Sequence, residues 1–198
     1  MSNIALQLEY NGSNFFGFQK QVDRPTIQAE LEKAISKFAN HDVQVITAGR
    51  TDTGVHAINQ VVNFTTGVKR ELHGWVRGVN AFLPGDIAIK KAAVVPDKFS
   101  ARFDAVSRTY FYYLCVRASR LGILNRQVGW CFTPLDIEKM QQACALLHGE
   151  HDFTSFRASD CQANTAIRNM HSCGVQIEQN NIYADINTLL ESDLGFDK

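Results

Sequence analysis

The densest cluster of polar side chains lies in the stretch AGRTDTGVHA, residues 48–57, which contains Arg50, Thr51, Asp52 and His56. A neighbouring arginine favours the ionised form of an aspartate, and an ionised, positioned carboxylate can act as a nucleophile or a base. Two plainer interpretations stay open, in which Asp52 caps a turn and Arg50 pairs with a surface acid. The two glycines and the lack of periodicity predict that this stretch is a loop.

A second hypothesis is a metal hydrolase built on Asp52, His56, His151 and Asp152. A metal site needs further ligands at suitable spacing, and none is obvious here. We expect His56 to belong to the hydrogen-bond scaffold of the loop, because a histidine acts as a base only where geometry allows it. His151 and Asp152 are predicted to lie in a turn after a helix. The sequence therefore predicts no metal site.

Positive charge is concentrated in the middle of the chain. Residues 100–131 contain five arginines and one acid, Asp104, and the aromatic residues 110–113 lie among the arginines. Arginine interleaved with aromatic rings suits phosphate contact and base stacking in nucleic acids. The plainer alternative is a strand with solvated arginines on its outer face. Residues 185–198 hold four acids and one lysine, so the formal net charge of zero conceals a basic middle and an acidic end.

The periodicity of apolar residues indicates the elements that must position these side chains. Alternating or β-branched runs predict strands, at residues 4–10, 60–65, 87–95, 108–116, 174–178 and 182–186. A further strand is predicted to begin at Val43 and Val45 and to end before the loop at residue 48. Apolar residues at helical spacing predict three helices, over 27–38, 72–79 and 137–147, the first with a start signal at Pro25-Thr26. This order is typical of an α+β fold with mainly antiparallel sheet. A boundary between two similar halves is expected between residues 97 and 107.

Composition and cysteine content exclude several classes of protein. The 198 residues, 45% hydrophobic and 20% charged, suit one globular domain or two small ones. No run approaches the roughly 20 apolar residues of a membrane helix, and the first residues lack the pattern of a signal peptide. The five cysteines are odd in number and form no C-x-x-C pair, which predicts free thiols in a reducing compartment. We therefore expect a cytoplasmic protein with no membrane partner.

Motifs are spread along most of the chain. GRTDTGVHA lies at 49–57 and YNGSNFFGFQKQ at 10–21, and further motif segments lie at 24–35, 80–89, 99–114 and 149–162. Together and in this order they closely resemble the bacterial TruA-type tRNA pseudouridine synthases. The first is similar to the active-site motif of that family, which usually has alanine where this chain has Thr53. The resemblance extends to about Asn187.

The resemblance implies roles for individual residues. Asp52 corresponds to the catalytic aspartate of the family, and Arg50 to an arginine that contacts the RNA and helps to displace the target base. Tyr110, in its R-x-Y context, corresponds to the tyrosine that stacks on the flipped uracil. Arg102 and Arg108 are then candidate RNA contacts, because arginines that hold phosphates position an RNA without reading its sequence.

The resemblance also implies a function and an architecture. Such enzymes isomerise uridine to pseudouridine in the anticodon stem-loop of tRNAs, at positions 38–40, and work as homodimers. The implied fold has two similar subdomains, at 1–105 with the loop 48–57 and at 106–187, with helices packed on one face of their sheets and an active-site cleft between them. The reaction is an internal rearrangement, so no redox cofactor, metal or nucleotide is expected. The sequence accordingly has no P-loop or G-x-G-x-x-G motif.

The end of the chain departs from the family pattern. Family members usually continue through a helix whose arginine pairs with the catalytic aspartate, whereas residues 188–198 resemble nothing in that region. We expect the 106–187 subdomain to be incomplete and the tail at 188–198 to be atypical. Without the arginine, the ionised form of Asp52 is held less firmly. An inactive truncated family member, either an RNA-binding remnant or an unstable fragment, is the alternative to an active enzyme.

Overall fold

The structure is a computed structural model that describes residues 1–157 and 165–177. It contains eight strands, three helices and two short 3-10 turns within these residues. The strands are β1 (Ser2–Tyr10), β2 (Ile46–Thr47), β3 (Ala57–Thr66), β4 (Ile87–Val95), β5 (Leu114–Val116), β6 (Gly129–Cys131), β7 (Gly149–Asp152) and β8 (Ile167–Met170). The helices are α1 (Ile27–Ala39), α2 (Leu72–Asn80) and α3 (Ile137–Leu146), and the 3-10 turns are Gly12–Asn14 and Thr154–Phe156.

The main sheet has four strands in the order β2–β3–β1–β4, and every neighbouring pair is antiparallel. The central strand β1 places Ile4 opposite Phe64 of β3 on one side and Val94 of β4 on the other. Side chains alternate between the two faces of a strand, and the even-numbered residues of β1 from Ile4 to Tyr10 are all buried. The predicted strands at 4–10, 60–65 and 87–95 are therefore confirmed.

Helices α1 and α2 both pack on the apolar face of this sheet and share one core with it. Trp75 of α2 is fully buried, with Phe38 and Phe64 edge-on to its ring at centroid distances of 5.2 and 5.3 Å, an arrangement that aromatic pairs favour. Thr26 caps α1, and its hydroxyl accepts a hydrogen bond from Ala29 N–H at 3.4 Å. The predicted start signal of α1 is confirmed.

The strand predicted to begin at Val43 and Val45 is confirmed only at its end. Val43 and Val45 are buried, but their N–H groups bond to side chains of α1 instead of a neighbouring strand. Val43 N–H donates to Ser36 Oγ at 2.8 Å, and Val45 N–H donates to Glu32 Oε1 at 3.2 Å. A backbone N–H that donates to a side chain is not available for a hydrogen bond to a neighbouring strand. The chain therefore joins the sheet only in the next two residues, as β2.

The strand predicted over 108–116 is confirmed only at its end, as β5, which pairs in parallel with β6. Residues 105–113 have no regular structure, and Tyr110 and Tyr112 are 75% and 86% exposed. The strand preference of aromatic residues reflects packing on a half-buried surface, which these exposed rings lack. The other paired strands among the described residues are antiparallel. The expectation of an α+β chain with mainly antiparallel sheet is confirmed.

The chain divides into two compact units, Met1–Phe132 and a second that begins at Thr133. This division falls later than the boundary expected between residues 97 and 107, which remains a prediction together with the similarity of the two halves. In the second unit, β7 and β8 form an antiparallel pair with His151 opposite Arg168. The turn predicted at His151 and Asp152 is therefore wrong, because a partner strand from later in the chain extends that segment.

Other predictions for the second half are only partly within the described residues. Residues 174–177 of the strand predicted at 174–178 have no regular structure, and Val175 N–H donates to Gln141 Oε1 of α3 at 2.7 Å. The strand predicted at 182–186 and the tail at 188–198 lie outside the described residues. Within residues 1–157 and 165–177, no helix is both long and apolar enough to cross a lipid bilayer.

Candidate active site

The candidate loop covers residues 48–56 and connects β2 to β3, so the main sheet holds both of its ends. Ala48 N–H donates to the carbonyl oxygen of Val61 at 2.9 Å, and Val55 N–H donates to that of Asp52 at 3.2 Å. A backbone hydrogen bond therefore closes the turn around Asp52. The capping interpretation required the Asp52 carboxylate to close it. Asp52 and Arg50 are both exposed.

The N-terminal segment 12–18 lies directly against this loop. Phe18 N–H donates to the carbonyl oxygen of Thr51 at 2.9 Å. Gly17 has a φ of 84°, and a Cβ at this position would lie 2.8 Å from the same oxygen. Glycine alone permits both the positive φ and so close an approach of two backbones. The segment thereby fixes the backbone next to Asp52.

Tyr10 and Gln60 connect the core to the start of the loop. The hydroxyl of the buried Tyr10 is 2.8 Å from Thr51 Oγ1, and Gln60 Nε2 donates to the carbonyl oxygen of Gly49 at 2.9 Å. Burial raises the pKa of Tyr10 above its ordinary value of 10.0, while hydrogen bonds with Thr51 and Gln60 oppose the increase. A neutral hydroxyl therefore bonds to the loop at physiological pH.

Tyr110 follows Arg108 by two residues, and the guanidinium of Arg108 donates to the carbonyl oxygen of Ala48 at the start of the loop. Tyr110 itself is 75% exposed. The chain that carries Tyr110 is thus attached to the loop that carries Asp52.

The two candidate RNA-binding arginines make different contacts. The guanidinium of Arg108 donates to the carbonyl oxygen of Ala48, through Nε at 3.2 Å and through a second, shorter bond. A guanidinium has five N–H donors, so this contact leaves others for a phosphate. Arg102 instead lies over the ring of Phe103, 5.3 Å from its centroid. Of these two contacts, only that of Arg108 reaches the loop.

His56 holds the other end of the loop. Its Nδ1 accepts a hydrogen bond from Gly12 N–H at 3.2 Å, and its Nε2 donates to the carbonyl oxygen of Arg126 at 3.0 Å. The predicted scaffold role of His56 is confirmed, and neither ring nitrogen is left for a metal in this arrangement. No three acidic, histidine or cysteine side chains converge on a metal-sized site in the described part of the chain. The metal-hydrolase hypothesis gains no support.

Several groups that hold the loop were not identified from the sequence. Tyr10 and Gly17 belong to the N-terminal motif, and their presence in that motif was a usable signal. Gln60 lies in β3 among other polar residues, so its sequence neighbourhood did not mark it. Arg126 carried no local signal, because its contacts with the loop and with Ser13 join residues far apart in the chain.

The sequence of this chain matches a known family. The sequence model of the family described as tRNA pseudouridine synthase matches residues 7–104 and 143–189 of this chain. The first range includes the candidate loop, the strands β2, β3 and β4, and the end of β1. The chain therefore belongs to the tRNA pseudouridine synthase family.

Curated relatives carry the name tRNA pseudouridine synthase A. The protein of Nitrosomonas europaea is 51% identical over 176 residues, which cover 89% of this chain and 65% of the relative. The protein of Nitrosomonas eutropha is 53% identical over 167 residues, covering 84% and 60%. That of Francisella tularensis subsp. novicida is 50% identical over 170 residues, covering 86% and 66%. The chain thus spans between 60% and 66% of the length of these relatives.

Proposed function

We propose that this chain isomerises uridine to pseudouridine in the anticodon stem-loop of tRNA, at positions 38–40, with Asp52 as the catalytic aspartate. Membership of the family supports the reaction, and the names of the curated relatives support tRNA as the substrate. The observation that carries the assignment of Asp52 is its exposed side chain on a loop whose backbone is fixed from both ends. Such a carboxylate can meet a substrate without a rearrangement of the loop.

The chemistry requires a carboxylate and no cofactor. The bond between C1′ and N1 of the uridine breaks, the uracil turns, and C5 joins C1′. The C5 proton leaves to solvent and N1 gains a proton, so no electrons are gained or lost. Asp52 can attack C1′, attack the uracil ring or assist a glycal-like route. Each route uses the ionised carboxylate.

Tyr110 is proposed to receive the target base. The uridine must leave its stack before a carboxylate can reach it, at a cost of about a few kcal/mol. An aromatic face offers a new stacking partner that recovers part of this cost. Tyr110 is exposed and follows Arg108, which bonds to the start of the Asp52 loop, and this placement suits that role; its hydroxyl is a candidate for proton transfer.

The arginines are proposed to hold the RNA backbone. Arg50 is exposed beside Asp52, where it can contact the RNA and help to displace the base. Arg102 and Arg108 are proposed phosphate contacts, which position the RNA without reading its sequence. Because Arg108 also bonds to Ala48, a phosphate bound there lies close to the start of the loop.

The family resemblance also supports three features of the whole protein. We expect a homodimer, an active-site cleft between two similar subdomains at 1–105 and 106–187, and a location in the cytoplasm. Sedimentation equilibrium of the purified chain tests the dimer, because the mass of one chain is 22.2 kDa. A single species at that mass across the concentration range would contradict it.

Release of tritium from tRNA that carries 5-tritiated uridine tests the catalytic assignment. We expect release by the wild-type chain, and none by Asp52→Asn, because the amide keeps the shape of the side chain but cannot act as a nucleophile or base. The matched control is Asp97→Asn, at an exposed aspartate after β4, which we expect to retain the wild-type rate. Equal release by wild type and Asp52→Asn would contradict the role of Asp52.

The same experiment distinguishes the alternatives. Binding of tRNA without release by wild type would indicate an RNA-binding remnant, and a broad thermal melt without binding would indicate an unstable fragment. We expect a chelator to leave the release unchanged. Loss of activity with the chelator, restored by a divalent metal, would instead favour metal-dependent chemistry.

A further inference from the structure

The loop that carries Asp52 is joined to two other segments by a ring of three hydrogen bonds. Gly12 N–H donates to His56 Nδ1 at 3.2 Å, and His56 Nε2 donates to the carbonyl oxygen of Arg126 at 3.0 Å. The guanidinium of Arg126 then donates to the carbonyl oxygen of Ser13. Because Gly12 and Ser13 are adjacent, these bonds form a closed circuit, which we call the His56 clamp.

The partners of His56 determine which of its nitrogens carries the proton. The Gly12 amide can only donate, so Nδ1 must be unprotonated, and the Arg126 carbonyl can only accept, so Nε2 must carry hydrogen. The neutral Nε2–H imidazole therefore satisfies both partners at once. An asparagine at this position retains an acceptor near Nδ1, and a glutamine retains a donor near Nε2.

The backbone conformation of the segments joined by the His56 clamp is tightly constrained. A Cβ on Gly12 would lie 2.0 Å from the carbonyl oxygen of Val55, so these two backbones are in direct contact next to His56. Arg126 has a φ of 68°, a conformation that residues other than glycine adopt rarely. In that conformation it presents its carbonyl to His56 and its guanidinium to Ser13 together.

We propose that His56 is a positioning residue that, through Gly12 and Arg126, fixes the end of the loop and thereby the place of Asp52. The turn between the two residues transmits the constraint, because Val55 N–H donates to the carbonyl oxygen of Asp52. A displacement of about 1 Å in a reacting group can lower a rate about 100-fold. This inference rests on the proposed catalytic role of Asp52.

Kinetic comparison of three substitutions tests the positioning role. His56→Ala removes both bonds, and we expect kcat for tritium release to fall between about 10- and 100-fold. The KM for tRNA should stay within about twofold, because the proposed phosphate contacts are unchanged. His56→Asn and His56→Gln each retain one bond, and each should recover part of the lost kcat. If His56 were a general base, neither amide would recover any activity.

The matched control is His41→Ala. The ring nitrogens of His41 are also both engaged, with Asp42 O at 2.9 Å and Thr66 Oγ1 at 2.8 Å, but these partners lie outside the loop. We expect wild-type kcat for His41→Ala. A wild-type kcat for His56→Ala, at an unchanged melting temperature, would overturn the positioning role.

Hydrogen exchange at the Gly12 amide gives a second readout that does not depend on activity. Exchange should be slow in the wild type, His41→Ala and His56→Asn, which all keep the acceptor, and faster in His56→Ala and His56→Gln. If the wild type releases no tritium, the proposed role of Asp52 fails, but this exchange pattern still decides whether the clamp exists. Equal exchange in the wild type and His56→Ala would overturn the clamp.

Discussion

Asp52 is held through its backbone, and its side chain faces outward. On either side of it, the Thr51 carbonyl accepts from Phe18 N–H, and Gly54 N–H donates to the Phe15 carbonyl. The carboxylate takes no part in these bonds. Catalytic groups must be placed within a fraction of an ångström. Backbone bonds provide that placement while leaving the oxygens of the carboxylate for the chemistry that we propose.

Tyr10 makes the free energy of unfolding of the first unit decrease at alkaline pH. Burial raises the pKa of Tyr10 in the folded chain above the ordinary value of 10.0 that applies when it is unfolded. The neutral hydroxyl therefore contributes stability that is fully present below pH 10 and is lost as the pH rises through the higher folded value. We expect the free energy of unfolding of the wild type to fall more steeply above pH 10 than that of Tyr10→Phe.

Urea unfolding between pH 8 and pH 11.5, which brackets the ordinary pKa of about 10, measures this difference. At pH 8, Tyr10→Phe should be less stable by about 1 kcal/mol, because it loses the hydrogen bond to Thr51. Tyr112→Phe is the control, since Tyr112 is 86% exposed, and its curve should follow the wild type. Parallel curves for wild type and Tyr10→Phe above pH 10 would contradict the prediction.

At the scale of elements, Glu32 joins three parts of the first unit. This residue of α1 is buried, and its Oε1 accepts from Val45 N–H at 3.2 Å and from Gln28 Nε2 at 2.9 Å. Its Oε2 lies 3.2 Å from Lys20 Nζ. The carboxylate thus connects α1 to the segment before β2 and to the end of the N-terminal motif.

We expect Glu32→Ala to lower the free energy of unfolding by about 1–3 kcal/mol, because it leaves the buried N–H of Val45 without its acceptor. Glu32→Gln retains an acceptor oxygen for Val45 N–H and should cost less, since it loses only the charge of a pair whose Lys20 end is 61% exposed. The control on the same helix is Glu30→Ala, whose 3.9 Å contact with Lys33 is at the surface. Urea denaturation measures all three, and equal losses for Glu32→Ala and Glu30→Ala would contradict the prediction.

At the scale of the whole molecule, a formal net charge of zero is compatible with RNA binding because charge is unevenly distributed. The basic segment at 100–131 supplies Arg102 and Arg108, which we propose to contact phosphates. Each phosphate contact releases bound counterions, so affinity falls with salt concentration in proportion to the number of contacts. The slope of log K against log salt concentration therefore measures the number of phosphate contacts.

We expect Arg102→Gln to weaken tRNA binding and to reduce the slope of log K against log salt by about 1. The control is Arg77→Gln, which removes the same charge from the exposed side of α2 and should leave the slope unchanged. Fluorescence titration of labelled tRNA across a salt series measures both. Equal slopes for wild type and Arg102→Gln would remove Arg102 from the set of phosphate contacts.

Much of the fold was predictable because its signals are local. Strand β1, the helices α1 and α2 and the strand β4 each bury one face, and that face appears in the sequence as a period of two or 3.6. Predictions failed where backbone groups found unexpected partners. Val45 N–H bonds to Glu32, so β2 begins only at Ile46, and Tyr110 and Tyr112 are exposed where a strand was predicted.

The sequence by itself determined the α+β framework, the candidate loop and the family, since these depend on periodicity and on motifs that occupy neighbouring positions. The hydrogen bonds that hold the loop in place depend on the tertiary structure. Tyr10 meets Thr51 across 41 positions, His56 meets Arg126 across 70, and Arg126 meets Ser13 across 113. No local pattern encodes such pairs. They form because the central sheet and its helices bring distant segments together around Asp52.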